Sequence, residues 1–406
     1  MKLNKYLMLG LAGLAFTACS NDDDLTSESR EDGKVRVTLS LGKTVSARSL
    51  GATAEGQYNN ITDLKIIFYN SKGAFVTIPD SGYIGGVKYD NATAVNNAVK
   101  DGLNNSANHQ VTVELKEIPS SATQIYIVTN QEGKSGQVGT TSLDAAKKTT
   151  IFLKNQIKTD FKVFSGEDSR MTGLAQIEAD GTAKVQLRPA PSRIEMGKVT
   201  AIPIPTGETW GGASIKEFKV SGFYINAFRP SGYLDAAQEE ISNAIDFEND
   251  ANHYSKTYYT DNGEWGMMCD EPTDANYTYK NGDNTNTVYT ATPSTATNWF
   301  GHMILQGTPC DVIVKLSVTY DDNTTADKFL TITKYKYASG IKDDYGTEHI
   351  AGSYVNNFLR GHVYKLNDIT FDVTDLTDSP YETTQTITAT VEVRPWIGVP
   401  VTPEFN

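Results

Sequence analysis

The amino-acid sequence predicts a mainly β protein made of two β-sandwich domains. Short runs of alternating apolar and polar residues dominate the chain, and turns rich in Gly, Asn and Ser separate them. Helical periodicity is confined to two short stretches near residues 92–104 and 235–247. The length of 406 residues is enough for two domains of ordinary size and too great for one small sandwich.

The alternating runs begin at residue 34 and continue to the end of the chain. The first, KVRVTLSL, places Val35, Val37, Leu39 and Leu41 on one face of a strand, because successive side chains of a strand point to opposite faces. Proline pairs at 189/191 and 203/205 bracket the predicted domain boundary near residue 195. The later predicted strands lie within residues 61–70, 110–116, 122–130, 183–202, 214–228, 311–320, 328–335 and 362–373, and in a terminal run from residue 384.

The N-terminal residues have the pattern of a secretory signal. A short basic region precedes the apolar run YLMLGLAGLAF (residues 6–16), which is too short to span a bilayer as a mature helix. The small residues Thr17 and Ala18 then precede Cys19, and this order resembles the lipobox of a bacterial lipoprotein. The resemblance implies cleavage after residue 18 and acylation of Cys19, which anchors the chain in outer-membrane lipid. An ordinary cleaved signal with an incidental cysteine is the alternative.

The segment after Cys19 is polar and acidic. Its sequence, SNDDDLTSESRED (residues 20–32), has nothing to pack, and it is typical of a flexible tether between a lipid and a domain. The whole chain is acidic as well, with a formal net charge of −13. This balance argues against a nucleic-acid partner, because phosphate contacts need a basic surface.

The sequence contains no motif that indicates catalysis. Five histidines are scattered without metal-ligand spacing, and there is no nucleophile elbow, phosphate loop or dinucleotide fingerprint. We therefore expect no enzyme activity, no cofactor and no metal. Cys269 and Cys310 could form a disulfide after export or could remain two buried thiols, and both alternatives stay open.

Four stretches together resemble the fimbrillins, the shaft subunits of lipoprotein-derived type V pili. They are the CSNDDD that follows the lipobox, residues 170–199, residues 356–373 and the closing VEVRPWIGVPVTPEF (391–405). The resemblance implies two transthyretin-like Greek-key sandwiches and no catalysis. It also implies that an Arg-specific protease removes an N-terminal segment and that a strand from a neighbouring subunit fills the emptied groove.

The chain can be divided according to this scheme. The signal peptide would be residues 1–18, the tether with its removable strand 19–48, the N-terminal sandwich 49–195, the C-terminal sandwich 196–383, and the terminal strands 384–406. The cleavage site would be Arg48, because it follows the removable strand in a loop of small residues, whereas Arg30 precedes that strand and Arg36 lies within it. A surface arginine without a role is the alternative for Arg48.

The terminal run has an apolar residue or a proline at every odd position from 391 to 405. We interpret Pro395 as the break between a strand that stays in its own domain (384–393) and a donated strand (396–402) carrying Ile397, Val399 and Val401. The resulting hypothesis is a cell-surface fimbrial subunit that joins other copies of itself or related pilins and serves adhesion to an unknown receptor. The competing hypothesis is a monomeric surface lipoprotein that acts as an adhesin or binds glycans.

Overall fold

The computed structural model confirms the mainly β fold class, with most strands in two sheets of nine strands each. It describes residues 33–398 with gaps, of which the longest are 45–60, 154–168, 202–214, 256–268 and 281–300. The elements of the first half are β1 (Val35–Leu41), β2 (Lys43–Thr44), β3 (Leu64–Tyr69), β4 (Phe75–Val76), β5 (Gly82–Ile84), β6 (Val87–Tyr89), α1 (Ala92–Asn105), β7 (Gln110–Leu115), β8 (Gln124–Thr129), α2 (Leu143–Lys147), β9 (Thr150–Phe152), β10 (Met171–Gln176) and β11 (Thr182–Pro189).

The second half contains fifteen strands among the described residues. They are β12 (Ser192–Glu195), β13 (Val199–Ala201), β14 (Ile215–Asn226), β15 (Ser231–Tyr233), β16 (Cys269–Asp270), β17 (Thr278–Lys280), β18 (Gly301–Ile304), β19 (Asp311–Tyr320), β20 (Thr325–Tyr337), β21 (Ile341–Lys342), β22 (Glu348–His349), β23 (His362–Leu366), β24 (Ile369–Phe371), β25 (Thr386–Pro395) and β26 (Ile397–Gly398). Every stretch in which the sequence predicted a strand contains at least one, so these predictions are confirmed.

One of the two predicted helical stretches is confirmed, and in the other the described residues 235, 242 and 244–247 are not helical, while 236–241 and 243 lie outside the described residues. Helix α1 covers 92–104, begins after Asn91, whose side chain accepts a hydrogen bond from Ala94 N, and buries Val95, Val99 and Leu103. In the region 235–247, the described backbone around Ile245 is instead bridged to Phe228. The side chain of Asn226 accepts a hydrogen bond from the backbone N–H of Phe247 at 2.8 Å. A side chain at the end of β14 therefore uses a donor that a helix would need.

The first sheet folds over on itself to form a sandwich. Its strand order is β4-β3-β8-β10-β11-β1-β7-β5-β6. Strand β11 makes the turn, because it pairs with β1 along Thr182–Leu187 and with β10 only at its last residues, Arg188 and Pro189. One core fills the space inside, with buried side chains from both parts of the sheet and from α1.

The second sheet has the order β16-β14-β19-β20-β25-β23-β12-β18, with β17 beside β14. Its long strands β14, β19 and β20 lie side by side and pair antiparallel, and the last two are joined by the short turn 321–324. The larger core cluster covers this sheet and continues onto the outer face of β3 and β8, where Tyr69, Tyr126 and Val128 are buried. Strands β3 and β8 are thus buried on both faces, and for this reason their sequences, LKIIFY and QIYIVT, are mostly apolar and do not alternate regularly.

The chain passes from the first sheet to the second close to the proline pair 189/191. Strand β11 ends at Pro189 in the first sheet, and β12 begins at Ser192 in the second, whereas the predicted boundary lay near residue 195. The sheets also include β1 and β25, which lie outside the predicted limits 49–195 and 196–383. The division of the chain into those particular domains stays a prediction.

Candidate assembly site

Strand β1 lies inside the first sheet, although it is the first strand that the structure describes. On one side it pairs antiparallel with β7, from Val35 opposite Leu115 to Ser40 opposite Gln110. On the other side it pairs in parallel with β11, from Arg36 opposite Thr182 to Leu41 opposite Leu187. A segment close to the N-terminus of the chain is therefore hydrogen-bonded along both of its edges.

The two faces of β1 differ as the alternation predicted. Val35, Val37 and Leu39 are fully buried, and Leu41 is 5% exposed. Burying four aliphatic side chains of this kind stabilises a fold by about 6–12 kcal/mol before entropy costs. These side chains form the middle of the core of the first sandwich, together with residues of α1, β7 and β11.

The outward face of β1 is polar and contributes much less. Thr38 Oγ1 and Thr112 Oγ1 lie 3.2 Å apart, and Arg36 Nη2 lies 3.7 Å from Glu114 Oε2. The Arg36 side chain is 65% exposed, so this ion pair is worth at most about 1 kcal/mol. The buried stripe and the two backbone ladders thus hold β1 in place.

The C-terminal segment divides near Pro395. Strand β25 runs between β20, to which it is parallel, and β23, to which it is antiparallel, with Ala389 and Val391 buried. It ends at Pro395, and the next strand, β26, leaves the second sheet. The backbone of β26 pairs antiparallel with β2, where Ile397 lies opposite Thr44 and Gly398 opposite Lys43. Residues 397–398 and the extension of β1 are therefore neighbours in this structure.

The structure brings together only part of the predicted site. The four residues of the β1 stripe lie side by side as expected, and Ile397 is placed by its backbone in β26. Cys19, Arg48, Val399 and Val401 lie outside the described residues. Their predicted roles in lipidation, cleavage and donation stay predictions.

The two cysteines lie on opposite sides of β14. Cys269 pairs with Tyr224 from one edge of β14, and Tyr224 pairs with Ile313 of β19 from the other edge. Two strand spacings are about 10 Å, whereas the Cα atoms of a disulfide lie within about 7 Å. The bridged alternative does not fit this strand order. Cys310 is a free, buried thiol, and burial raises its pKa.

Two features of the site could not be read from the sequence. The alternation in residues 183–189 predicted a strand, but nothing in it indicated that this strand lies parallel to β1. The short pairs β2 and β26 are too brief for periodicity to reveal them. The signal that the sequence did give is the shared period of two in residues 396–402 and in β1.

Other kinds of site were sought over the same residues. Where the structure describes the chain, no three histidine, cysteine or acidic side chains converge in a way that could hold a metal ion. No helix within the described ranges has the length and apolar character needed to cross a membrane.

No protein-family model matches the chain, and no curated protein matches it in sequence. Solved structures do resemble it. A candidate cell adhesion protein from Parabacteroides distasonis is 14% identical, with a TM-score of 0.50 over 91% of this chain and 98% of that one. A fimbrilin from Porphyromonas gingivalis is 12% identical, with a TM-score of 0.47 over 90% and 98% of the two chains. A candidate cell adhesion protein from Bacteroides eggerthii is 14% identical, with a TM-score of 0.45 over 89% and 95%. The structural neighbours are thus fimbrial and cell adhesion proteins, and the chain shares the fold of the Parabacteroides distasonis protein.

Proposed function

We propose that the chain is a fimbrillin, a structural subunit of a cell-surface fimbrium that polymerises by strand exchange. The observation that carries the proposal is the position of β1, a terminal strand placed inside a sheet with its apolar stripe fully buried. A strand near a chain end can be cut away without interrupting the rest of the fold.

Removal of β1 would open a groove of defined chemistry. The backbone edges of β7 and β11 would lose their partners, and the core would lose four aliphatic side chains. Exposed edges and an exposed apolar floor together favour the addition of another alternating strand. An incoming strand of either direction would make one parallel and one antiparallel ladder, because β1 itself makes one of each.

The closing residues supply a matching strand. Residues 396–402 have the length of β1, and Ile397, Val399 and Val401 repeat its period of two. The preceding β25 is held between β20 and β23, so the donated residues would extend from a firmly anchored strand. Head-to-tail insertion of this kind does not close on itself, and it therefore produces a filament.

The remaining steps of the proposal concern export and processing. The subunit reaches the outer membrane as a lipoprotein acylated at Cys19, and an Arg-specific protease then cuts after Arg48. This cut releases the tether and β1 and commits the subunit to the filament, which serves adhesion to an unknown receptor. The subunit itself performs no catalysis.

The test is conversion of purified precursor to polymer by an Arg-specific protease. We expect a ladder of oligomers that withstands detergent at room temperature and disappears on boiling, because a strand enclosed on both edges leaves slowly. Arg48→Ala should remain a folded monomer that keeps β1, whereas the matched control Arg30→Ala should polymerise normally. Normal polymerisation of Arg48→Ala would show that cleavage lies elsewhere or is unnecessary, and an intact monomer after cleavage would contradict strand exchange.

A further inference from the structure

A cleft where the two halves of the chain meet is rich in cationic side chains. Its volume is about 390 Å³, within the usual range of small-molecule sites. Four of its lining residues are cationic and one is acidic, on a chain whose formal net charge is −13. The side chains that define its chemistry are Lys147, Lys184, Gln186, Arg188, Asp235 and Arg360. The cleft therefore concentrates positive charge on an acidic protein.

One wall of the cleft is the outward face of β11. Lys184, Gln186 and Arg188 alternate along this strand, while the intervening side chains of Ala183, Val185 and Leu187 fill the core of the first sandwich. Arg188 Nη2 donates a hydrogen bond to Gln186 Oε1 at 3.3 Å. The fixed period of the strand thus aligns three polar groups toward one space.

The opposite wall comes from the second half of the chain and is tightly held. Arg360 Nη1 lies 3.2 Å from Asp235 Oδ1, and their side chains are only 7% and 12% exposed. Arg360 Nη2 also donates to the carbonyl oxygen of Thr172 on β10 at 3.3 Å. The backbone N–H of Asp235 donates to the carbonyl oxygen of Lys147 at 2.9 Å, which fixes the backbone that carries this lysine.

The excess positive charge comes from the exposed rim. Asp235 offsets the charge of Arg360, so Lys147 and Lys184 add positive charge to the lining of the cleft. Among the residues that the structure describes, neither Lys147 nor Lys184 has a carboxylate oxygen within 4.0 Å, although Lys184 interacts electrostatically with Asp180 at longer range. Two ammonium groups at the rim are therefore available to an anion.

We propose that this cleft binds an acidic saccharide, a sugar that bears a carboxylate. The two lysines would bind the carboxylate, the Gln186 amide can donate hydrogen bonds to hydroxyl groups and accept them, and the Asp235 carboxylate can accept them. Leu174, 36% exposed in the lining, offers an apolar surface to a ring face. A small inorganic anion would use the charge but leave most of this volume and the polar groups of Gln186 and Asp235 unused.

The test measures binding to the full-length mature monomer, and assembly does not enter the readout. Titration calorimetry with N-acetylneuraminic acid and glucuronic acid should show saturable binding, with glucose and inorganic phosphate each at least about tenfold weaker. The double variant Lys147→Ala/Lys184→Ala should bind the acidic sugars on the order of tenfold more weakly, because it loses two positive charges that would attract the carboxylate. Lys216→Ala, an exposed lysine on β14 of the second sheet, is the matched control and should bind as the parent does.

Each alternative result would overturn the proposal. If neither acidic sugar binds, the cleft is not a site for acidic saccharides. Equal binding of glucose would show that the carboxylate is not recognised, and equal binding of phosphate would indicate an unselective anion site. Unchanged binding by the double variant would place the saccharide elsewhere on the molecule. Acidic peptides tested in parallel should bind no better than phosphate, and tighter binding by them would replace the saccharide with a protein ligand.

Discussion

Replacing Leu39 by alanine should destabilise the precursor but leave the finished polymer unchanged. Leu39 is fully buried in the centre of β1, among the side chains of the first core. Truncation of a buried leucine costs about 2–5 kcal/mol, from the lost transfer energy and the cavity that remains. Because the proposed cut after Arg48 removes residue 39, the filament would contain no trace of the substitution.

The assay compares urea unfolding of the two forms. With a slope of about 1–3 kcal/mol per M urea, the unfolding midpoint of the Leu39→Ala precursor should fall by on the order of 1–2 M. The dissociation temperature of cleaved polymer should match that of the parent. The outward-facing control Thr38→Ala should shift the precursor by less than about 1 kcal/mol, since it loses one partly exposed hydroxyl contact.

The same comparison can refute the reasoning in two ways. A precursor as stable as the parent would mean that β1 contributes little to the first core. A polymer weakened by the same amount as the precursor would mean that β1 stays in the subunit after assembly. Either result would remove the basis for strand exchange, whereas the unchanged polymer is a result that a merely structural β1 could not give.

Three further predictions concern other parts of the chain. Val399→Asp should abolish polymerisation while Thr402→Asp permits it, because an unpaired charge entering an apolar groove costs several kcal/mol. A sedimentation assay after proteolysis would distinguish the two variants, and equal polymerisation by both would contradict donation by this stripe. Burial raises the pKa of Asp311 to about 6 in the folded protein, above its unfolded value near 4. Ionisation of this carboxyl should therefore lower the free energy of unfolding by on the order of 2 kcal/mol as the pH rises from 4 to 7. Asp311→Asn should flatten that part of the pH–stability curve, and an unchanged curve would count against the buried carboxyl. Asp235→Ala should lower the free energy of unfolding, measured by heat or urea, by about 3–5 kcal/mol, because it leaves the buried Arg360 charge without its carboxylate. A decrease below about 1 kcal/mol would show that water compensates the Arg360 charge.

The sequence predicted strands well where one face is buried and the other is exposed to solvent. β1 is the clearest case, since its alternation predicted both its bounds and the four side chains that enter the core. Period-two patterning reports the environment of each side chain, and for such strands this environment alternates regularly. It carries no information about the neighbouring strand, so the parallel contact with β11 could not be predicted.

The features that the sequence did not predict depend on tertiary contacts. Residues 235–247 contain apolar positions at helical spacing, yet Asn226, which is distant in sequence, takes the N–H of Phe247. The pair of Asp235 and Arg360 joins residues far apart in the chain, and no pattern within either neighbourhood indicates the other. Tertiary contacts of polar side chains decided both cases, and such contacts are not encoded in local periodicity.

The parallel pairing of β1 with β11 also sets an order of events during biogenesis. Arg36 lies opposite Thr182, so the first strand to be synthesised cannot complete its ladders until almost half of the chain has emerged. During that interval its apolar stripe and the edge of β7 have no lasting partner, which is a state prone to aggregation. Under the proposed strand exchange, this early form would resemble the cleaved subunit, because both lack a strand in the groove between β7 and β11, and capture by another chain at this stage would compete with folding.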